Sequence, residues 1–163
     1  IRFGLLMNPD NPIYVDIYYG DLCTVAPPAF EGTISKMEFE YDESRGDVPV
    51  ADVPQGKSGL VHIWGRNDMS TAQQLGISWE VRDPDNLVVE VYSAWEAWPY
   101  TGPGDEHEFI GGRFNLDKPG IYTIHVGLLI EIYVDIYYGD LCTVVSALIP
   151  TFSNFGVTAF SKA

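Results

Sequence analysis

Thirteen residues occur twice in this chain without a mismatch: IYVDIYYGDLCTV spans residues 13–25 and again residues 132–144. An internal repeat constrains a fold more than composition does, because it marks out the structural unit before any strand or helix is assigned. The likeness extends outward from both copies. Gly4-Leu5-Leu6 precedes the first and Gly127-Leu128-Leu129 the second, with four fewer intervening residues. Downstream, Pro28-Ala29-Phe30 is echoed by Pro150-Thr151-Phe152.

These offsets give a period of 119–123 residues, the size of one immunoglobulin-like sandwich. The expected organisation is an N-terminal strand segment over 1–27, a sandwich over 28–145, and a C-terminal strand segment over 146–163 that starts another unit. A recombination event or a misassigned sequence is the other source of such an identity. Identical strands are chemically equivalent, so a sandwich with one slot for them has a spare. A spare strand can add to the exposed edge of another copy. Repeated head to tail, that contact makes a fibre or a ring. The plainer expectation is that each copy sits in its own β-rich unit.

Alternation supports strands throughout. Ile13, Val15 and Ile17 are expected on one face, with Tyr14, Asp16 and Tyr18 on the other. Residues 33–41, 59–65, 75–82, 87–92, 107–116 and 121–129 read as further strands. Asp83-Pro84-Asp85-Asn86 and Asp117-Lys118-Pro119-Gly120 supply turns. The polar stretch from Asp42 to Ser58 reads as a long loop, and 95–106 as an aromatic loop rich in Pro and Gly. No sustained apolar stripe of helical period is present. The expected class is therefore all-β, an immunoglobulin-like antiparallel β-sandwich with flanking strands from a tandem or strand-exchanged repeat.

The charge balance narrows the partners. With 23 Asp and Glu against 9 Lys and Arg, the formal charge is −14. Phosphate binding needs clustered cations, so nucleic acid and anionic lipid surfaces are poor partners. No window approaches 18 apolar residues, so no membrane insertion by a helix is expected. The sequence begins without Met or a signal-peptide pattern, and is expected to be processed or part of something longer.

Gln55-Gly56-Lys57-Ser58-Gly59 leading into a strand, Asp83-Pro84-Asp85 after the next, and the run Phe114-Asn115-Leu116-Asp117-Lys118-Pro119-Gly120-Ile121-Tyr122-Thr123-Ile124 together resemble the CARDB-type immunoglobulin-like repeat domains of prokaryotic surface and secreted proteins. The resemblance covers roughly residues 28–130. It implies a sandwich, an extracellular or cell-surface location and an adhesive or structural role, with no catalytic residues. The Cys…Trp…Cys spacing of antibody domains is missing, since both cysteines lie in the duplicated segment.

Several residues invite chemical roles. Cys23 and Cys142 occupy equivalent repeat positions; the alternatives are two buried small hydrophobes, or a disulfide or interface if the duplicated strands meet. Calcium is the one cofactor the sequence suggests, through Asp83, Asp85 and Asn86 or the groups Asn8, Asp10, Asn11 and Asp42, Glu43, Asp47; Asx-rich turns have the same composition for local reasons. His62, His107 and His125 are scattered, and no catalytic triad or nucleophile motif stands out. Arg45-Gly46-Asp47 is an integrin-type tripeptide placed on a loop. Trp95, Trp98 and Tyr100 suit subunit packing or a carbohydrate platform.

The expected function is structural and non-enzymatic: a subunit of an extracellular filament, appendage or surface layer, with copies of itself as partners. The assembly strands would be Ile13, Tyr14, Val15, Ile17 and Tyr18, and Ile132, Tyr133, Val134, Ile136 and Tyr137. The alternatives are a glycan- or protein-binding module of a surface protein, or a virion structural protein.

Overall fold

In the computed structural model, residues 30–146 are described with their side chains, and Arg2–Leu6 and Tyr14–Tyr19 by their backbone. The described residues form strands and no helix. β1 (Arg2–Leu6) and β2 (Tyr14–Tyr19) pair as a two-stranded sheet. The remaining strands form two five-stranded sheets of mostly antiparallel pairing.

The first sheet runs β10 (Phe114–Asn115), β6 (Ser58–Asn67), β3 (Gly32–Tyr41), β4 (Ser44–Asp47), with β9 (Glu106–Ile110) also on β6. The second runs β5 (Val50–Pro54), β12 (Ile132–Val145), β11 (Gly120–Ile130), β7 (Gly76–Arg82), β8 (Val88–Trp95). β5 pairs with β12 in parallel and only at its far end, from Cys142 onward.

The inner faces meet as alternation requires, burying Phe39, Val61, Ile63, Phe109 and Phe114 from one sheet against Ile77, Trp79, Val81, Ile124, Val126 and Val144 from the other. Tyr122 is buried with them, and its hydroxyl accepts a hydrogen bond from the Lys118 backbone N–H at 3.1 Å. That contact pins the Asp117–Gly120 turn to the strand it introduces, as tyrosine corners do in such sandwiches.

Three stretches depart from the sequence reading. The stretch from Asp42 to Ser58 is not one loop: it holds β4 and β5. Asp42 and Glu43 form a two-residue turn with φ of 43° and 63°, the left-handed geometry that matches strand twist in a hairpin. These short, polar edge strands bury little, so they carry almost no hydrophobic alternation; Val53 is the fully buried exception. The strand expected over 107–116 is two strands on the same side of β6. It breaks at Gly111-Gly112, where a Cβ on Gly111 would lie 2.7 Å from the Trp79 ring.

The third departure lies in the duplicate itself. β12 carries an extra residue at Val134 and another at Leu141, where its register against β11 shifts. Each bulge inverts the side-chain phase. Val134 and Tyr137 pack toward the core while Ile136 is exposed, so the single-face alternation expected for this segment does not hold in its second copy. The second bulge allows both Leu141 and Cys142 to be buried.

The sheets pack closely where Gly65 of β6 faces Leu128 of β11, the leucine methyl occupying the space a Cβ would need. Leu128→Ala should cost about 2–5 kcal/mol and Gly65→Ala about 1–3 kcal/mol. The double variant should lose less than the sum, with a coupling of about 0.5–3 kcal/mol in urea unfolding.

Candidate functional site

The hairpin β11–β12 presents a partly open sheet edge. β12 pairs with β11 along its length, whereas β5 covers it only from Cys142. Among the described residues, no strand pairs with the other side of β12 from Ile132 to Asp140. Unpaired backbone groups in a row are a template for another strand. One local device blunts this edge: Asp135 accepts a hydrogen bond from the Ile34 backbone N–H at 2.8 Å and another from Ile136 N–H at 2.9 Å.

The side chains along this edge are apolar and outward. Ile136 is 60% exposed and Tyr138 69%, with Ile132 and Tyr133 also exposed. The Tyr133 ring lies across Gly127 of β11, where a Cβ would meet its Cδ1 at 2.7 Å. Glycine is needed there because the ring crosses the strand to reach toward Ser78. Together with Val91 of β8 and His125 of β11, Tyr133 and Ile136 line a shallow groove of about 390 Å³ on the outer face of the sheet.

The duplication proves to be one of a hairpin and not merely of a strand. β1 pairs β2 through Arg2↔Tyr19, Phe3↔Tyr18, Gly4↔Ile17 and Leu6↔Tyr14. β11 pairs β12 through His125↔Tyr138, Val126↔Tyr137, Gly127↔Ile136 and Leu129↔Tyr133. Repeat position for repeat position, these are the same four pairs, and both ladders shift register at the same place. β1 therefore corresponds to β11, with Phe3 and Leu5 in the places of Val126 and Leu128. The sequence carried this signal in the Gly-Leu-Leu echo.

The expected assembly residues thus fall on two hairpins. Tyr14, Val15, Ile17 and Tyr18 lie in β2, and Ile132, Tyr133, Val134, Ile136 and Tyr137 in β12. Ile13 lies outside the described residues, as do Cys23 and the Asn8, Asp10, Asn11 group. Cys142 is fully buried, and burial pushes its thiol up to about 12. It packs as a small hydrophobe between β11 and β5.

The remaining candidates sit in engaged positions. The Asp83 side chain accepts the Asp85 and Leu87 backbone N–H groups, each at 2.9 Å, which closes the turn locally. The Lys118 ammonium bonds both Asp83 and Asp85 at 2.6 Å, placing a cation where calcium was considered, while Asn86 offers its backbone carbonyl to Arg82. Among the described residues, no group of three or more His, Cys, Asp and Glu side chains is placed to hold a metal ion. Arg45-Gly46-Asp47 lies in β4 and not at a loop tip. Its arginine is held by Glu38 and Glu108 and rests over the Trp64 ring.

That arginine belongs to a ladder on the outer face of the first sheet, which the sequence did not reveal. Lys36, Glu38, Arg45, Glu108, His62 and Glu40 follow one another across β3, β4, β6 and β9, and Arg113, just before β10, ends the ladder. His62 is buried with its Nδ1 at 2.8 Å from Glu108 and its Nε2 at 3.3 Å from Glu40. Hydrogen bonding from Lys36 lowers the Glu38 carboxyl and from Arg113 that of Glu40. At Glu108 burial pulls upward, but hydrogen bonds with Arg45 and His62 prevail and the net shift is down. Glu90 works the other way: burial raises it despite the hydrogen bonds it accepts from the Gly112 N–H and the Trp79 indole. Lowered carboxyls contribute stability above their unfolded value of 4.5 and lose it as pH falls through their folded values. The urea midpoint should therefore hold above pH 4.5 and drop below it, less steeply in Arg45→Met.

At the end of β8 and just after it, Trp95, Trp98 and Tyr100 are exposed, Trp98 by 82%, and Trp95 and Tyr100 line one hollow. Their loop is fixed from beneath by two buried polar residues that sequence reading passed over, Asn67 and Glu96. Asn67 donates to the Thr71 and Thr101 carbonyls at 2.9 and 2.8 Å. Glu96 accepts from Leu75 N–H at 3.1 Å, Thr101 N–H at 2.8 Å and the Thr101 hydroxyl at 2.6 Å.

No family model and no curated protein matches this chain. Solved structures do. The C-terminal domain of wzt superposes with a TM-score of 0.53 at 12% identity, covering 81% of this chain and 86% of that one. A CARDB domain from Pyrococcus furiosus, solved in complex with di-metal ions, gives a TM-score of 0.45 at 12% identity over 78% of this chain and 99% of that one. The fold is an immunoglobulin-like β-sandwich, as the sequence led us to expect.

Proposed function

We propose that this chain is a structural subunit of an extracellular assembly, such as a filament, appendage or surface layer, whose copies are joined by β-strand pairing. In this reading the hairpin β1–β2 of one copy adds to the β12 edge of the next. The observation that supports it most directly is the shared register of β1–β2 and β11–β12. A two-stranded hairpin is at best marginally stable in water and needs further strands or a packed face. β1–β2 pairs with no third strand among the described residues, while β12 offers an edge with exposed Ile and Tyr side chains.

Donor and acceptor surfaces differ, so the contact is heterologous. Such contacts propagate into open fibres unless the rotation closes a ring. Backbone pairing supplies affinity, and the apolar side chains set register against the acidic repulsion of a chain with charge −14. The CARDB-type resemblance supports a surface or secreted setting for this role.

Negative-stain microscopy of the chain with and without residues 1–27 tests the proposal. Filaments or rings should form from the full chain and vanish on truncation, and a chain carrying Ile136→Lys with Tyr138→Lys should also fail to propagate. Mixing the truncated chain with that edge variant should restore pairs but not fibres, since one supplies only acceptors and the other only donors. Single particles in every sample would overturn the reading.

A further inference from the structure

The aromatic residues at the end of β8 and just after it have a construction that copy-to-copy pairing does not require. Trp95 pairs with Gly76 across β7 and β8. A Cβ on Gly76 would lie 2.6, 2.7 and 2.8 Å from three atoms of the indole, so the ring lies face-on over the glycine. One face of Trp95 is thereby packed and the other turned to solvent. Trp95, Gln73, Gln74, Tyr100, Ile130 and Glu131 line a hollow of about 610 Å³, within the about 300–1,000 Å³ usual for small-ligand sites.

Three features of the lining identify a ligand class. The exposed rings of Trp95 and Tyr100 offer flat apolar faces, and Trp98, two residues before Tyr100 in the chain, is exposed outside the lining. The amide nitrogens of Gln74 and Gln73 are fixed by the Glu96 carbonyl and the Thr71 hydroxyl, each at 2.9 Å, so the two amides are oriented before a ligand arrives. The ionisable group in the lining is a carboxylate, that of Glu131, and no Lys or Arg contributes to it. A surface that pairs flat apolar faces with hydrogen-bonding amides and negative charge suits a pyranose ring, which has an apolar C–H face and a rim of hydroxyls. The same charge repels uronates, sulfated sugars and sialylated chains.

We propose that this hollow is a binding site for a neutral oligosaccharide, with a sugar ring stacked on Trp95, Trp98 extending the platform, Gln73 and Gln74 donating to or accepting from hydroxyls, and the Glu131 carboxylate accepting from them. The site is held in its binding geometry by Asn67 and Glu96 underneath. Pre-ordering of this kind removes part of the entropy cost of binding. The site adjoins the start of β12 through Glu131 but does not need copies to pair.

Titration calorimetry and tryptophan fluorescence on the full chain, with cellohexaose, laminarihexaose, mannohexaose and chitohexaose as probes and polygalacturonate as the anionic control, test this. At least one neutral hexasaccharide should bind and shift the emission, and polygalacturonate should not. Trp98→Ala and Trp95→Phe should weaken binding, the former about tenfold, equivalent to about 1.4 kcal/mol, with the urea midpoint of Trp98→Ala unchanged. Binding to none of the neutral sugars would overturn the proposal, as would binding that survives Trp98→Ala and Trp95→Phe. Loss of self-association in Trp98→Ala without any sugar binding would also overturn it, and would assign the rings to a joint between copies.

Discussion

Everything in the sandwich leans on β11. It pairs with β12 along its whole length and with β7 from Thr123 to Leu129. It also sends Tyr122, Ile124, Val126, Leu128 and Ile130 into the core. Backbone pairing fixes its height in the sheet, and inter-sheet packing fixes which face it turns. A strand held in both ways cannot slip by one residue without exposing that whole apolar set. The bulges therefore fall on β12, the outer partner, where an extra residue is accommodated toward solvent.

Much of this was legible because the core strands obey a strict period of two. β6 and β7 alternate buried and partly buried residues with few interruptions, and the Asp83 side chain closes its turn locally. Edge strands were less legible for a physical reason. β4 and β5 owe their conformation to one neighbour and bury few side chains, so pairing rather than hydrophobicity places them. Bulges are invisible for a related reason: they depend on the opposing strand, which a local window does not include.

The candidate sites divide along the same line. Repetition and aromatic clustering are properties of the chain itself, and both pointed to surfaces with unusual exposure. Asn67, Glu96 and the His62 ladder each meet partners 21–46 positions away, so only the fold reveals that their polar groups meet. The two outer strands of the second sheet are also managed differently. β8 carries Glu90, which accepts the Trp79 indole N–H at 2.6 Å and the Gly112 N–H at 3.1 Å, an inward carboxylate that discourages a further strand. β12 has only the shorter reach of Asp135, and its apolar side chains remain outside.

The two hairpins differ in how their strands are connected. Seven residues separate Leu6 from Tyr14, whereas three separate Leu129 from Tyr133. Closing the longer connection costs more chain entropy, by roughly 0.7 kcal/mol on the logarithmic scaling of loop closure. β2 and β12 are identical in sequence while β1 and β11 are not, so connection length is one of the terms that separate the two hairpins in competition for the place beside β7 that β11 occupies. On that term the shorter connection favours β11–β12 by about threefold, which leaves the hairpin with the longer connection as the one more often free to look elsewhere for a sheet.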